Sequence, residues 1–139
     1  LEHLTKPVKM LDQLSELLSE DGEIIIEVPN IDDALISLYK IEEFKDFYFC
    51  SPHLFYFSES TLSQLIKKTK NIRIDCLEFI QRYNLNNHLK WLDSRSLNAP
   101  QSKYQIFSDN TKQSYTQDLI NSKKTDTLWA ICSKRVKNH

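Results

Sequence analysis

The chain has 139 residues, 40% of them hydrophobic and 27% charged, with a formal net charge of −1. That balance excludes a protein held to DNA, RNA or an anionic membrane surface by a basic excess, and no apolar run approaches the ~18–20 residues that cross a bilayer. A single glycine, Gly22, excludes the glycine-rich phosphate and dinucleotide loops, which need several.

Length predicts one domain, 1–139, large enough to bury roughly two-thirds of its unfolded surface. Pro7 fits the first turn of a helix, where a missing N–H is no loss; Thr5 or Lys6 precedes that turn, and Thr5 can cap it. Val8, Leu11, Leu14, Leu17 and Leu18 recur at three- and four-residue spacing and predict an amphipathic helix. Gly22 is expected to end it in the left-handed conformation. In "EIIIEVPN", Ile24, Ile25, Ile26 and Val28 form a β-branched run expected to be a strand buried on both faces, as in a parallel sheet. "IDDALISLYKIEEF" predicts a helix or a helical loop. In "KDFYFCSPHLFYFS", Pro52 rules out a continuous helix, and most of Phe47, Phe49, Phe55 and Phe57 are expected in the core.

Ser58 is the expected N-cap of "ESTLSQLIKKT", with Leu62, Leu65 and Ile66 on one face and Asn71 at the C-cap. "IRIDCLEFI" alternates Ile72, Ile74 and Cys76 against Arg73 and Asp75, a half-exposed strand. "YNLNNHLKWLDS" predicts a short helix carrying Leu85, Leu89 and Leu92, and "TKQSYTQDLINS" another through Tyr115, Leu119 and Ile120. "TLWAICSKR" closes the chain as a strand, with Leu128, Ala130 and Cys132 alternating against Trp129 and Ile131. Helices alternating with strands make an α/β pattern. The three cysteines, Cys50, Cys76 and Cys132, are odd in number and widely spaced, which argues for a reducing, cytoplasmic setting.

The run "LEHL" with Pro7, then "DGEIIIEVPN", "HLFYFSESTLSQLI" and "TDTLWAICSK" resembles, in register and element order, the C-terminal half of class I S-adenosylmethionine-dependent methyltransferases. The resemblance implies part of a Rossmann-like sheet with flanking helices. The family orders its strands 3-2-1-4-5-7-6, and this chain would carry the fifth, seventh and sixth, the seventh antiparallel to both neighbours. It implies that the glycine-rich, cofactor-holding half is absent. S-adenosyl-L-methionine is then expected to bind the full-length parent only, and this chain alone to be inactive. Asn71 and Ile72 stand where the family usually has a Gly-Phe pair; Asn tolerates the left-handed conformation, so the turn is expected to survive.

Methyl transfer from a sulfonium needs the acceptor held at a near-attack distance and, for many acceptors, a base. By the resemblance, Leu1 and Glu2 would lie beside the cofactor, and His3 would orient or deprotonate the acceptor; His3 could equally cap the Pro7 helix. His53 is the second catalytic candidate, with Tyr56 as an acceptor-pocket wall. Asn30, past the end of the Ile-rich strand, could bond the acceptor or make an Asx turn. "QRYNLNNHLKW" concentrates Gln81, Arg82, Tyr83, Asn84, Asn87 and His88. Arg82 suits a phosphate or carboxylate, and Tyr83, Asn87 and His88 suit sugar hydroxyls; the same residues could be a solvated helix start. The expected partner is therefore a small polar acceptor such as a sugar or sugar-nucleotide. Cys50-x-x-His53 has no second ligand pair nearby, so no metal is expected. A strand bared by the missing half would be an open edge and favour self-association. The alternatives are a non-catalytic dimerisation or regulatory module, or a degenerate methyltransferase.

Overall fold

A computed structural model of the protein describes residues 1–49, 52–96, 98, 100 and 104–135. Among them the fold is mixed α/β, with six helices and one antiparallel sheet of three strands. The chain runs α1 (Pro7–Leu17), β1 (Glu23–Pro29), α2 (Ala34–Ser37), α3 (Glu42–Tyr48), α4 (Glu59–Lys67), β2 (Ile72–Ile80), α5 (Leu85–Ser94), α6 (Asp109–Asn121) and β3 (Thr127–Lys134). The last strand lies in the middle of the sheet, in the order β1, β3, β2. No helix among the described residues is long and apolar enough to cross a membrane. Two units divide the chain: Leu1–Pro29, Pro52–Glu78 and Leu128–His139 form the first, Asn30–Ser51 and Phe79–Thr127 the second.

The first unit holds α1, β1, α4 and nearly all of β2 and β3. Pro7 stands in the first turn of α1 and Lys6 precedes it, both as expected, but no side chain caps the helix. The helix buries Pro7, Leu11 and Ser15, while Leu14 and Leu17 are exposed. It ends in extended backbone at Leu18, and Gly22 does not adopt positive φ. A Cβ at Gly22 would lie 2.7 Å from Leu18 Cδ1 and 2.8 Å from Ser19 Oγ, so a side chain there would have to displace these two side-chain ends.

β1 corrects a second expectation. Ile26 and Val28 are buried, whereas Ile25 and Glu27 face solvent, so one face is buried and not two. A sheet with antiparallel neighbours can leave one face wet. β3, in the centre, keeps the predicted alternation, with Leu128, Ala130 and Cys132 all fully buried. In β2 the alternation carries through Ile72 and Ile74 and fails at Cys76, which is exposed. α4 forms as its sequence predicts. Ser58 Oγ accepts from Thr61 N at 3.3 Å, and Thr61 Oγ1 accepts from Ser58 N at 2.8 Å, a reciprocal cap. Leu62 and Ile66 are fully buried, contributing about 1.5–3 kcal/mol each. The helix closes at Lys68, and Asn71 is no cap: its carbonyl accepts from Arg135 N at 2.7 Å, without positive φ. Of the unit's two candidate core phenylalanines, Phe57 is buried and Phe55 is exposed.

The second unit holds α2, α3, α5 and α6. Residues 31–44 resolve into two short helices separated at Lys40, where φ is 52°. Leu35, Ile41, Phe44, Trp91 and Leu119 make the core, with Phe44 edge-on to Trp91 at 5.0 Å. Phe47 and Phe49 are exposed, contrary to their expected place in the core. α5 does not bury its leucines. It buries Asn86, His88, Lys90 and Trp91, and Leu92 faces solvent. On this inward face His88 meets polar partners, described below.

With one glycine in the chain, all three left-handed positions among the described residues fall to cations: Lys40, Arg95 and Lys123. Left-handed backbone costs a non-glycine residue roughly 1–2 kcal/mol, partly offset by the smaller entropy its unfolded state can gain. Lys40 is exposed, so Lys40→Gly is expected to stabilise the protein by about 0.5–1 kcal/mol. A urea midpoint that moves up checks this; an unchanged or lower midpoint contradicts it.

Candidate functional site

In the first unit, the backbone ties two distant segments together. Glu2 O accepts from Leu54 N at 2.8 Å and from Phe55 N at 3.2 Å, and Leu4 N donates to Leu1 O at 3.1 Å. This pinning brings His53 beside His3, with ring centroids 4.7 Å apart, edge to face. Tyr56 lies 5.8 Å from His53 in a second edge contact. Glu2 Oε1 is 3.6 Å from His3 Nε2, and Glu2 Oε2 accepts from the amino group of Leu1 at 3.0 Å. Burial pushes the Glu2 carboxyl up, but its own backbone N–H, the neighbouring ammonium and His3 outweigh that and hold it below the ordinary value. Glu2, His3 and His53 each offer one donor atom, and these atoms lie within 4.8 Å of one another. His53 Nδ1 is buried without a hydrogen-bond partner. Cys50, the other half of the C-x-x-H spacing, lies outside the described residues.

In the second unit, a polar interior joins β3's entry to α2, α5 and α6. Asp126 is its hub. Its carboxylate accepts from Arg82 N at 3.0 and 3.1 Å, from Tyr83 N at 2.9 Å and from Thr127 Oγ1 at 2.7 Å. Its own N–H donates to Gln81 Oε1 at 3.1 Å. Burial raises the Asp126 carboxyl above its ordinary value, against the pull of those donors.

That bond orients the Gln81 amide. Its Nε2 is then the donor, to Tyr83 O at 2.6 Å and to His88 Nε2 at 3.2 Å. A neutral imidazole that accepts at Nε2 carries its proton on Nδ1. His88 Nδ1 therefore donates to Tyr115 Oη, 2.7 Å away, leaving the tyrosine proton for Tyr39 Oη at 3.3 Å. Burial holds the His88 imidazolium well down, to about 4, and a proton on Nε2 would also face the amide donor of Gln81. Burial pushes the Tyr115 phenol upward, helped by Tyr39 and Asp33. Asp33 caps α2, accepting from Leu35 N at 2.6 Å. Burial first, and the Asp126 charge second, raise its carboxyl to about 7.

The sequence-predicted residues divide accordingly. His3, His53, Tyr56 and Glu2 come together, with Leu1 in contact through its amino group. Asn30 turns inward: Nδ2 donates to Thr125 O at 2.8 Å and Oδ1 accepts from Asp32 N at 3.0 Å, the Asx turn that was its alternative reading. His88 is fully buried with both ring nitrogens engaged. Arg82 and Tyr83 are exposed, and Asn87 is half-buried in the first turn capped by Asn84. Sequence reasoning missed Asp33, Asp126, Tyr39 and Tyr115. The only signal of the two aspartates was polarity at the ends of apolar segments, "NIDD" and "TDT", which also marks any turn. No protein-family model matches the chain, and no curated protein matches it.

Proposed function

We propose that this chain supplies the acceptor-side part of an S-adenosylmethionine-dependent methyltransferase acting on a small polar molecule such as a sugar or sugar-nucleotide. The observation that carries the reading is the sheet order β1, β3, β2, with the last strand inserted antiparallel between the other two. The family's fifth, seventh and sixth strands follow that order, which no local pattern in the sequence dictates. The strands expected to hold the cofactor are not among these residues. His3 and His53 are the candidate bases, and their rings lie edge to face. In the second unit Arg82 and Tyr83 are exposed and stay the candidate acceptor contacts, whereas His88 and Asn30 bond within the interior.

A second reading, a non-catalytic module that pairs with another copy, is favoured by one feature: β1 is an edge strand with Ile25 59% exposed. Calorimetry separates the two. The 139-residue chain is expected to show no measurable binding of S-adenosylmethionine, whereas the polypeptide from the complete reading frame around it binds the cofactor. Tight binding by the chain alone, or none by the complete polypeptide, rejects the methyltransferase reading. Light scattering on the same samples reports pairing.

A further inference from the structure

We propose that Glu2, His3 and His53 form a binding site for one divalent transition-metal ion of the Zn²⁺ or Co²⁺ type. Two imidazole nitrogens and one carboxylate oxygen are a donor set suited to such ions and unsuited to Mg²⁺ or Ca²⁺, which take oxygen ligands. The geometry fits. Bonds of ~2.0–2.2 Å to a tetrahedral ion place neighbouring donors roughly 3.4 Å apart. Glu2 Oε1 and His3 Nε2 are already 3.6 Å apart, and all three donor atoms lie within 4.8 Å of one another. Rotation of side chains closes the remainder.

Two further observations point to a ligand. His53 keeps Nδ1 buried and unpartnered, a group whose unmet bonding capacity costs free energy unless something coordinates the ring or fixes its tautomer. The site is also built by the backbone: both amides after His53 donate to the carbonyl of Glu2, so ligands 50 residues apart are held in register before any ion arrives. Preorganisation of that kind lowers the entropy lost on binding. With three protein ligands, and with the His3 side chain half exposed, the bound ion keeps a coordination position open to solvent. An open position is where a small oxygen- or nitrogen-bearing molecule would bind the metal, which distinguishes this site from a closed structural one. The site stands whether or not the chain takes part in methyl transfer.

The test uses the whole chain with several residues appended before Leu1, so that no free amine can join His3 in a Cu²⁺- or Ni²⁺-type chelate. Zn²⁺ is titrated by calorimetry, and Co²⁺ by its visible absorption. One ion per chain is expected, with Co²⁺ bands of four- or five-coordinate intensity, bleached by Zn²⁺ and unaffected by excess Mg²⁺. His3→Gln, His53→Gln and Glu2→Gln should each weaken binding at least about tenfold, the loss that even an outer partner of a metal ligand typically brings. His3 is the most exposed of the three, so His3→Gln keeps the fold, checked by circular dichroism. His88→Gln, in the second unit, should bind as the parent does. Binding that survives His3→Gln and His53→Gln, or a parent chain with no Zn²⁺ affinity above that of His3→Gln, overturns the proposal.

Discussion

Asp126→Ala is expected to destabilise the protein by about 3–5 kcal/mol, a large fraction of the 5–15 kcal/mol that ordinary domains possess. The carboxylate is the acceptor for the backbone amides of Arg82 and Tyr83 and for the hydroxyl of Thr127. Alanine leaves those donors partly buried with nothing to bond, at about 1–3 kcal/mol for each unsatisfied group. Removing a charge that burial disfavours offsets part of this, but only the one group gains where three lose. Asp126→Asn keeps one acceptor oxygen and should cost about 1–2 kcal/mol. Urea unfolding followed by far-ultraviolet circular dichroism measures both. An alanine variant within ~1 kcal/mol of the parent would show that water satisfies the two amides and that Asp126 is no hub.

Asp33 and His88 are expected to tilt stability in opposite directions with pH. Asp33 has a folded-state pKa of about 7 against 3.8 unfolded, so the folded protein holds a proton that the unfolded chain releases. Its contribution is complete below 3.8 and is lost as pH rises towards 7, by roughly 4 kcal/mol in all. His88 has a folded-state pKa of about 4 against 6.5, so its contribution is complete above 6.5 and is lost as pH falls towards 4, by about 3 kcal/mol. Between pH 4 and 6.5 the two slopes oppose one another, and the parent should show little dependence from this pair. Asp33→Asn, which still caps α2, removes the falling slope and should become more stable as pH rises through that window. His88→Gln removes the rising slope and should become less stable. Asp126 adds to the Asp33 trend, since burial raises it too, and Tyr115 stays protonated throughout. The difference between each variant and the parent, taken at pH 4.5, 5.5 and 6.5, isolates the group. Parallel pH profiles for the two variants would refute the assignment.

The sequence by itself determined what depends on neighbours along the chain. Pro7 opens α1 because φ near −65° and a missing N–H are harmless there. Ser58 caps α4 through a partner three residues away. The alternation in 127–134 places β3's faces correctly because a central strand meets sheet on both edges and packing on one face. Such signals have a fixed period and carry their own partners. His3, His53 and Tyr56 stand out in the sequence as imidazole and phenol groups, and the structure brings their rings together.

Tertiary structure decided the rest, because the deciding partner lay far off in sequence. Ile25 is exposed although it stands in the same apolar run as Ile26, since β1 is an edge with one wet face. α5 turns His88 inward and Leu92 outward, and for His88 the reason is that Gln81 and Tyr115 supply hydrogen bonds that no hydrophobic period encodes. Glu2 and His53 meet only because two amides of the 52–57 segment bond to one carbonyl near the start of the chain. Local propensity fixes which groups can point together. Long-range hydrogen bonds and burial, each worth a few kcal/mol, choose which of them do.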